Sequence, residues 1–496
     1  MSEINNSSGQ SAAELLSNEL LSFCKSDSLS EEGLRKIIER HTPNEIFPHY
    51  FPDAATATDE NWLTPLHHAC KNKNATLNIV RILIDAAPDS GRSVSTEGWM
   101  PLHYLCQNKH VDEASAMKIL KLLIEKCPEA VRHTDNRGRL PIHYAAEINC
   151  PEFCRLLIEA YPGSEQMTSA KGDLPFHLAC YYNSLATVEY LHGLHPDTIN
   201  IASRRHYPIH IVMDGMKQRE NRATAVEIVH FLLGCDPIIK LQKSGKGRSL
   251  LHYACRKEYI GSNIEAGIQI IGAIYDAYPE AIEKNGIASD IHRYHQQVQS
   301  FINNELVYAR QAKDLRLMTR SDDNQQLPLH RALQNNASLG SIKLLVKGNP
   351  HAIQSSDNNG ALPLHIACQH HDCASVVQYL LGLDEASLDS LDEKGNTALH
   401  HACFGAKHDT IALLLEEYDA VSVSKRNAHD KLPTELLWES GAVLDRESIE
   451  YTESVFLLLK AYPETIMSGS MNMKQQVNSG ERPSQNGKKR KYGDTT

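Results

Sequence analysis

Thr64-Pro-Leu-His-His-Ala-Cys70 is followed by Met100-Pro-Leu-His-Tyr-Leu-Cys106, Leu140-Pro-Ile-His-Tyr-Ala-Ala146 and Leu174-Pro-Phe-His-Leu-Ala-Cys180. The same pattern returns in Tyr207-Pro-Ile-His210, Leu250-Leu-His-Tyr-Ala-Cys255, Leu327-Pro-Leu-His330, Leu362-Pro-Leu-His-Ile-Ala-Cys368 and Ala398-Leu-His-His-Ala-Cys403. Its histidines stand at His67, His103, His143, His177, His210, His252, His330, His365 and His400. Successive copies lie 33–42 residues apart, except for one interval of 78 that holds two periods. The copy inside that interval is degraded to Gly286-Ile-Ala-Ser-Asp-Ile-His292, and a last copy, Leu432-Pro-Thr-Glu-Leu436, has no histidine. About eleven units result. A fixed period of this size marks stacked supersecondary units that cannot bury their apolar faces alone.

Each unit carries a second signal about ten residues later: an apolar stripe at helical spacing, such as Ile79-Val-Arg-Ile-Leu-Ile84 or Cys154-Arg-Leu-Leu-Ile158, and then a stop. Prolines 88, 128, 162, 196, 237, 279, 350 and 463 recur at that stop, where a helix cannot continue. The proline of the histidine motif suits a first helical turn, where its missing N–H is harmless. Gly98, Gly138, Gly172 and Gly360 precede that proline by three residues and predict a tight turn. One unit is therefore a turn, a short helix, a loop and a longer helix.

This Thr-Pro-Leu-His-x-Ala-like motif resembles the ankyrin repeat. The resemblance covers about residues 50–466 and implies an all-α solenoid of about eleven helix–turn–helix units with short projecting finger turns. A degenerate unit is expected at about 286–310. Residues 13–49 read as a helical N-terminal cap, with Ser28 and Glu31 as a capping box for its second helix. Residues 1–12 and 467–496 lack apolar periodicity and are expected to be disordered, the latter as a basic tail.

Composition narrows the function. The 496 residues are 41% hydrophobic and 22% charged, with a net charge of −11. This acidic balance argues against bulk-charge coating of nucleic acid. The best apolar run, Ile268–Tyr275, is interrupted by Gln269 and Gly272 and is far too short for a membrane span. The first residues lack the basic-then-apolar order of a signal peptide. An intracellular chain, cytoplasmic or nuclear, is the expectation. Twelve cysteines without a secretory signal read as thiols rather than a disulfide framework.

His67/Cys70, His103/Cys106, His177/Cys180, His252/Cys255, His365/Cys368 and His400/Cys403 are three residues apart, the spacing of two ligands on one helical face. They repeat with the scaffold, and Ala146 replaces the cysteine in one copy, so the thiol reads as a small apolar residue. The resemblance implies that the histidine ties neighbouring turns by hydrogen bonds. His370-His371-Asp372-Cys373 is denser but reads as a solvated loop. Catalytic patterns are missing. Gly245-Lys246-Gly247-Arg248-Ser249 fails as a phosphate loop, having Lys240 where its first glycine belongs. No catalytic residue, metal, cofactor or obligate small molecule is assigned.

The resemblance implies that the fingers and first helices line a concave groove, so function falls to exposed residues on a constant frame. Fingers three to six carry Arg132, Arg137, Arg139, Lys171, Arg204, Arg205, Lys240, Lys243, Lys246 and Arg248. Fingers eight to ten carry Asp322, Asp323, Asp357, Asp389, Asp392 and Glu393, and the first adds Asp53, Asp59 and Glu60. The groove is expected to be basic early and acidic late. The reading is a non-enzymatic scaffold that binds one or more proteins, with no membrane. The alternatives are a nuclear regulator associated with nucleic-acid complexes and a targeting subunit of a larger enzyme such as a ubiquitin ligase. Lys488-Lys489-Arg490-Lys491 fits a nuclear import signal.

Overall fold

The computed structural model describes residues 12–40, 50–148, 150–182, 185–216, 223–236, 238–256, 264–283, 287–371, 374–417, 423–440 and 448–463. The basic cluster 488–491, with the whole tail 467–496, and Asp372-Cys373 lie outside these. Among the described residues the only β pairing is two isolated bridges, Ser203–His206 and Lys243–Ser249. No described helix is long and apolar enough to cross a membrane. The chain forms two compact units, 1–302 and 303–496.

Each histidine motif opens a short inner helix, as in Pro65–Lys71, Pro101–Gln107, Pro141–Ile148, Pro175–Tyr182 and Pro208–Gly215. The reason is local. Proline fills the first turn, and the histidine three residues after the cap accepts the cap residue's own N–H, the job glutamate has in a capping box. A longer outer helix follows, such as Leu77–Ala86 or Glu113–Lys126. The recurring prolines do not sit in the last helical turn. They stand just past the cap residue and open a 3₁₀ turn, as at Pro88–Arg92, Pro128–Arg132, Pro196–Asn200 and Pro350–Gln354.

In unit 1–302, consecutive inner helices pack on one another and outer helices do likewise. Leu66, Ile79, Leu102, Ile119, Ile142, Phe153, Phe176 and Val188 are buried between the two rows. In unit 303–496, one apolar cluster runs through Leu329, Ile342, Leu364, Val377, Leu399 and Leu414. The degraded copy keeps one inner turn, Ile287–Asp290, and a full outer helix, Gln296–Gln311.

The helices Ala12–Lys25 and Glu31–Arg40 are bonded as a repeat would be. Asn72 donates its amide to the Cys24 and Ser26 carbonyls (3.1 and 2.7 Å), just as Asn108 donates to those of Cys70 and Asn72 (2.9 and 3.0 Å). Ser28 does not cap the second helix; its hydroxyl meets that of Ser26. Ser30 accepts the Gly33 N–H instead, and Glu31 turns to Arg35 and Asn78.

Neighbouring fingers are joined through the main chain. Thr96 N–H donates to the Asn61 carbonyl, Asn136 to Glu97 and Ala170 to Arg137 in the first unit; Asn358 donates to Asn324, Glu393 to Asn359 and Ala428 to Lys394 in the second. Glycine stands beside four of these six approaches, while Trp62 (φ 61°) and Gln325 (φ 57°) take the same left-handed position beside the other two. Gly138 has φ +69°, and a Cβ there would stand 2.8 Å from the Ala170 nitrogen. Gly172 has φ +80° with open space around it. Gly172→Ala is therefore expected to cost about 1 kcal/mol for conformation alone. Gly138→Ala should cost about 2–3 kcal/mol, because finger four must also move. Urea midpoints of the two variants test this, and equal losses would show that the approach is not limiting.

Candidate functional site

The inner-helix histidines form a buried ladder behind the fingers. His143 Nδ1 accepts the Leu140 N–H (3.1 Å), so Nε2 carries the proton and donates to the Asp173 carbonyl (3.2 Å) of the next finger. His67, His177, His330, His365 and His400 repeat the arrangement, reaching the carbonyls of Trp99, Ile201, Ser355, Ser390 and Lys431. Burial pushes His67, His143, His365 and His400 down to about 4, so they are neutral. With both nitrogens committed to the backbone, these six offer no lone pair to a metal. Their partner cysteines, Cys70, Cys180, Cys368 and Cys403, are fully buried. Burial raises the Cys70, Cys368 and Cys403 thiols, which leaves them inert.

Three ladder positions depart from the rule. His103 keeps the Nδ1 bond, to Met100 N–H, but Nε2 has no partner among the described residues. His252 faces the Asp290 carboxylate at 3.5 Å. His210 is fully buried with neither ring nitrogen bonded among the described residues, and desolvation pushes it down to about 3. His371 is not in a solvated loop: it is buried and bonds the Ala337 carbonyl at 2.7 Å.

The finger acids are largely turn builders rather than displayed charges. One oxygen of Asp59, Asp135, Asp322, Asp357 and Asp392 accepts the N–H groups two and four residues on, closing the finger upon itself. The second oxygen of Asp59 meets His68, that of Asp135 accepts the Tyr144 hydroxyl and that of Asp392 meets His401. This corrects the acidic half of the groove. Asp322, Asp357 and Asp392 are consumed by the fold, and Asp389 pairs with Lys425 (3.1 Å), which leaves Asp323 and Glu393.

The basic row lies wholly in unit 1–302. Arg137, Lys171, Arg205, Lys243 and Lys246 are exposed and make no ion pair among the described residues. Lys240 and Arg248 are half-buried. Arg132 stands over the Tyr161 ring at 5.0 Å. Arg139 is partly withdrawn: it pairs with Glu147 (2.9 Å) and lies over the Tyr144 ring. Burial nonetheless raises the Glu147 carboxyl. Arg204 pairs with buried Asp173, which also accepts the Ser203 hydroxyl at 2.5 Å.

Finger five is unlike the others. Ser203 N–H donates to the His206 carbonyl and His206 N–H to that of Ser203 (2.9 and 2.8 Å), which closes a two-residue loop. Arg204 (φ 49°) and Arg205 (φ 70°) are both left-handed, the conformation an Asn-Gly pair adopts freely. For side chains with a Cβ it costs roughly 1–2 kcal/mol per residue. Behind the loop lies a pocket of about 270 Å³ lined by Arg139, Arg204, Leu178, Tyr182, His206 and Ile211, among others. Tyr182, His206 and the strain at Arg204-Arg205 were not read from the sequence, since arginine carries no turn signature.

Two other features are smaller candidates. Glu113, Cys150 and Glu152 bring ligand atoms within 4.8 Å of one another, but both carboxylates are exposed and burial raises the thiol. In unit 303–496 a cleft of about 840 Å³ is lined by Glu305, Tyr308, Leu317, Arg320 and Arg331, where Ser338 donates to Glu305 at 2.6 Å.

A family model described as ankyrin repeats (3 copies) matches residues 36–117, 112–201, 294–389 and 329–427, together more than half of the chain. No curated protein matches.

Proposed function

The chain belongs to the ankyrin-repeat family, and from that premise we propose that it is a non-enzymatic scaffold that binds a partner protein through the finger face of unit 1–302. Repeats of this family generally mediate protein–protein interaction. The observation that carries the finer reading is the asymmetry of the fingers. The finger acids, Asp135 among them, are spent on turn closure, while Arg137, Lys171, Arg205, Lys243 and Lys246 stand exposed without ion pairs among the described residues. A surface held by backbone bonds and a buried ladder is preformed, so little ordering entropy is lost when a partner docks. Function then resides in side chains that the fold does not use.

The test is affinity capture from native cells, comparing the wild type with Arg137→Glu, Lys171→Glu, Lys243→Glu, Lys246→Glu in one chain. The substituted tips leave ladder, turns and core untouched, so the melting curve should be nearly unchanged. Loss of the captured partner is expected. Retention of the same partner at the same level would sink the finger-face reading.

A further inference from the structure

We propose that finger five and the pocket behind it form an anchor for an acidic segment of the partner protein, and that native stability is given up to build it. This rests on the finger-face reading above and deepens it. The loop Ser203–His206 sets two arginines in consecutive left-handed positions, whereas the other fingers have a single such residue, glycine at Gly98, Gly138, Gly172 and Gly360 and a non-glycine at Trp62, Gln325 and Asp430. A loop selected for folding alone has Asn and Gly here. Strain held at a surface loop motivates a functional reading.

The neighbouring finger makes room for the arrangement. A Cβ on Gly245 would meet the Arg205 Cβ at 2.6 Å and its Cδ at 3.2 Å. Finger six thus accommodates the Arg205 stem beside Lys243 and Lys246. The ladder also fails at this repeat. His210 holds neither its own helix cap nor the next finger, although it is fully buried. Two departures from the repeat rule, the paired left-handed arginines and the unbonded His210, therefore meet in one repeat.

The chemistry of the pocket selects the occupant. Arg139 and Arg204 each meet a carboxylate of the fold, and a guanidinium has five donors, so both retain capacity for a second carboxylate. Tyr182 is 45% exposed and offers an apolar wall. Arg205 follows Arg204 in the same loop, and Arg137, Lys171 and Lys246 are exposed on fingers three, four and six with no ion pair among the described residues. Asp173 and Asp214 line the same pocket, Glu147 pairs with Arg139, and the whole chain carries −11. That mixture suits spaced carboxylates on a peptide better than the dense phosphates of a nucleic acid, which would meet these acids at close range.

The experiment uses the full chain and a fluorescein-labelled peptide of alternating glutamate and serine, with binding read by anisotropy at low salt. The informative variant is Arg205→Asn, because asparagine tolerates the left-handed turn while lacking the charge, and Arg204 keeps its pair with buried Asp173. Wild type should bind, and the variant should bind at least about tenfold more weakly. The variant's urea midpoint should be equal or higher, so weak binding is not a folding failure. Equal affinity of variant and wild type overturns the anchor, and a lower urea midpoint overturns the claim that stability was given up. Tighter binding of oligo(dT) than of the peptide overturns the carboxylate assignment. If the peptide fails to bind while the four-tip variant above still loses its partner, the acidic anchor falls and the scaffold reading stands.

Discussion

Between pH 6.5 and pH 4 the folded state is expected to lose most of its stability, well before the bulk of the carboxylates titrate. The cause is the ladder. His67, His103, His143, His365 and His400 have their folded-state values depressed from 6.5 to about 4 by burial. A base whose folded value is depressed favours the native state above its unfolded value, because only the unfolded chain takes up the proton as pH falls. Above pH 6.5 neither state is protonated and the term is constant. From 6.5 downwards the unfolded state gains, by about 3 kcal/mol per histidine when pH reaches 4. The three sites in unit 1–302 and the two in unit 303–496 thus give about 9 and about 6 kcal/mol, comparable to the roughly 5–15 kcal/mol that holds a domain together. Urea midpoints at pH 7.5, 6.0 and 5.0 test this. A steep fall is expected from the second value to the third; a flat profile down to pH 4.5 would show that the ladder opens locally instead.

His143→Ala and His210→Leu should move stability in very different ways, although the two histidines occupy the same place in the repeat. Removing the His143 ring leaves the Leu140 N–H without its partner and the Asp173 carbonyl with only the Ser169 N–H, in a dry site. At about 1–3 kcal/mol for the orphaned donor, about 1 kcal/mol for the lost second bond and the cavity besides, a loss of about 4 kcal/mol follows. The His210 ring bonds nothing, and its surroundings are rings: His206 at 6.0 Å and Tyr253 at 4.8 Å. Leucine there removes two unsatisfied nitrogens and retains most of the volume, so the change should be near zero or stabilising. Denaturant melts of the two variants decide the matter. A large loss at His210→Leu would mean that the ring has a partner such as a buried water.

How far the molecule was legible depends on the range over which each cause acts. Proline at the first turn and histidine three residues past the cap act within one turn of helix. The period therefore located the inner helices in all eleven units, including the degraded one. The ladder's acceptors were not legible, because the histidine meets a main-chain carbonyl 24–32 residues away and carbonyls carry no residue signature. The finger acids misled because a carboxylate closing a turn and one facing solvent share a letter. A signal did exist: Asp135, Asp357 and Asp392 each stand three residues before Gly138, Gly360 and Gly395, which is turn chemistry rather than surface charge. The pocket behind finger five required coordinates, since Arg139, Tyr182 and Arg204 come from three different repeats.

The main-chain links between fingers separate two kinds of information. Bonds such as Ala170 N–H to the Arg137 carbonyl fix the spacing of neighbouring tips without consulting the side chain at either end. Arg137 can be exchanged for nearly any residue while its carbonyl keeps accepting, so drift at the tips is silent to folding and audible only to a partner. A gene encoding such an array can diverge in what it recognises one codon at a time, without passing through unfolded ancestors. Finger five is the exception: there the tip and the turn are the same two residues, so recognition and folding must be inherited together.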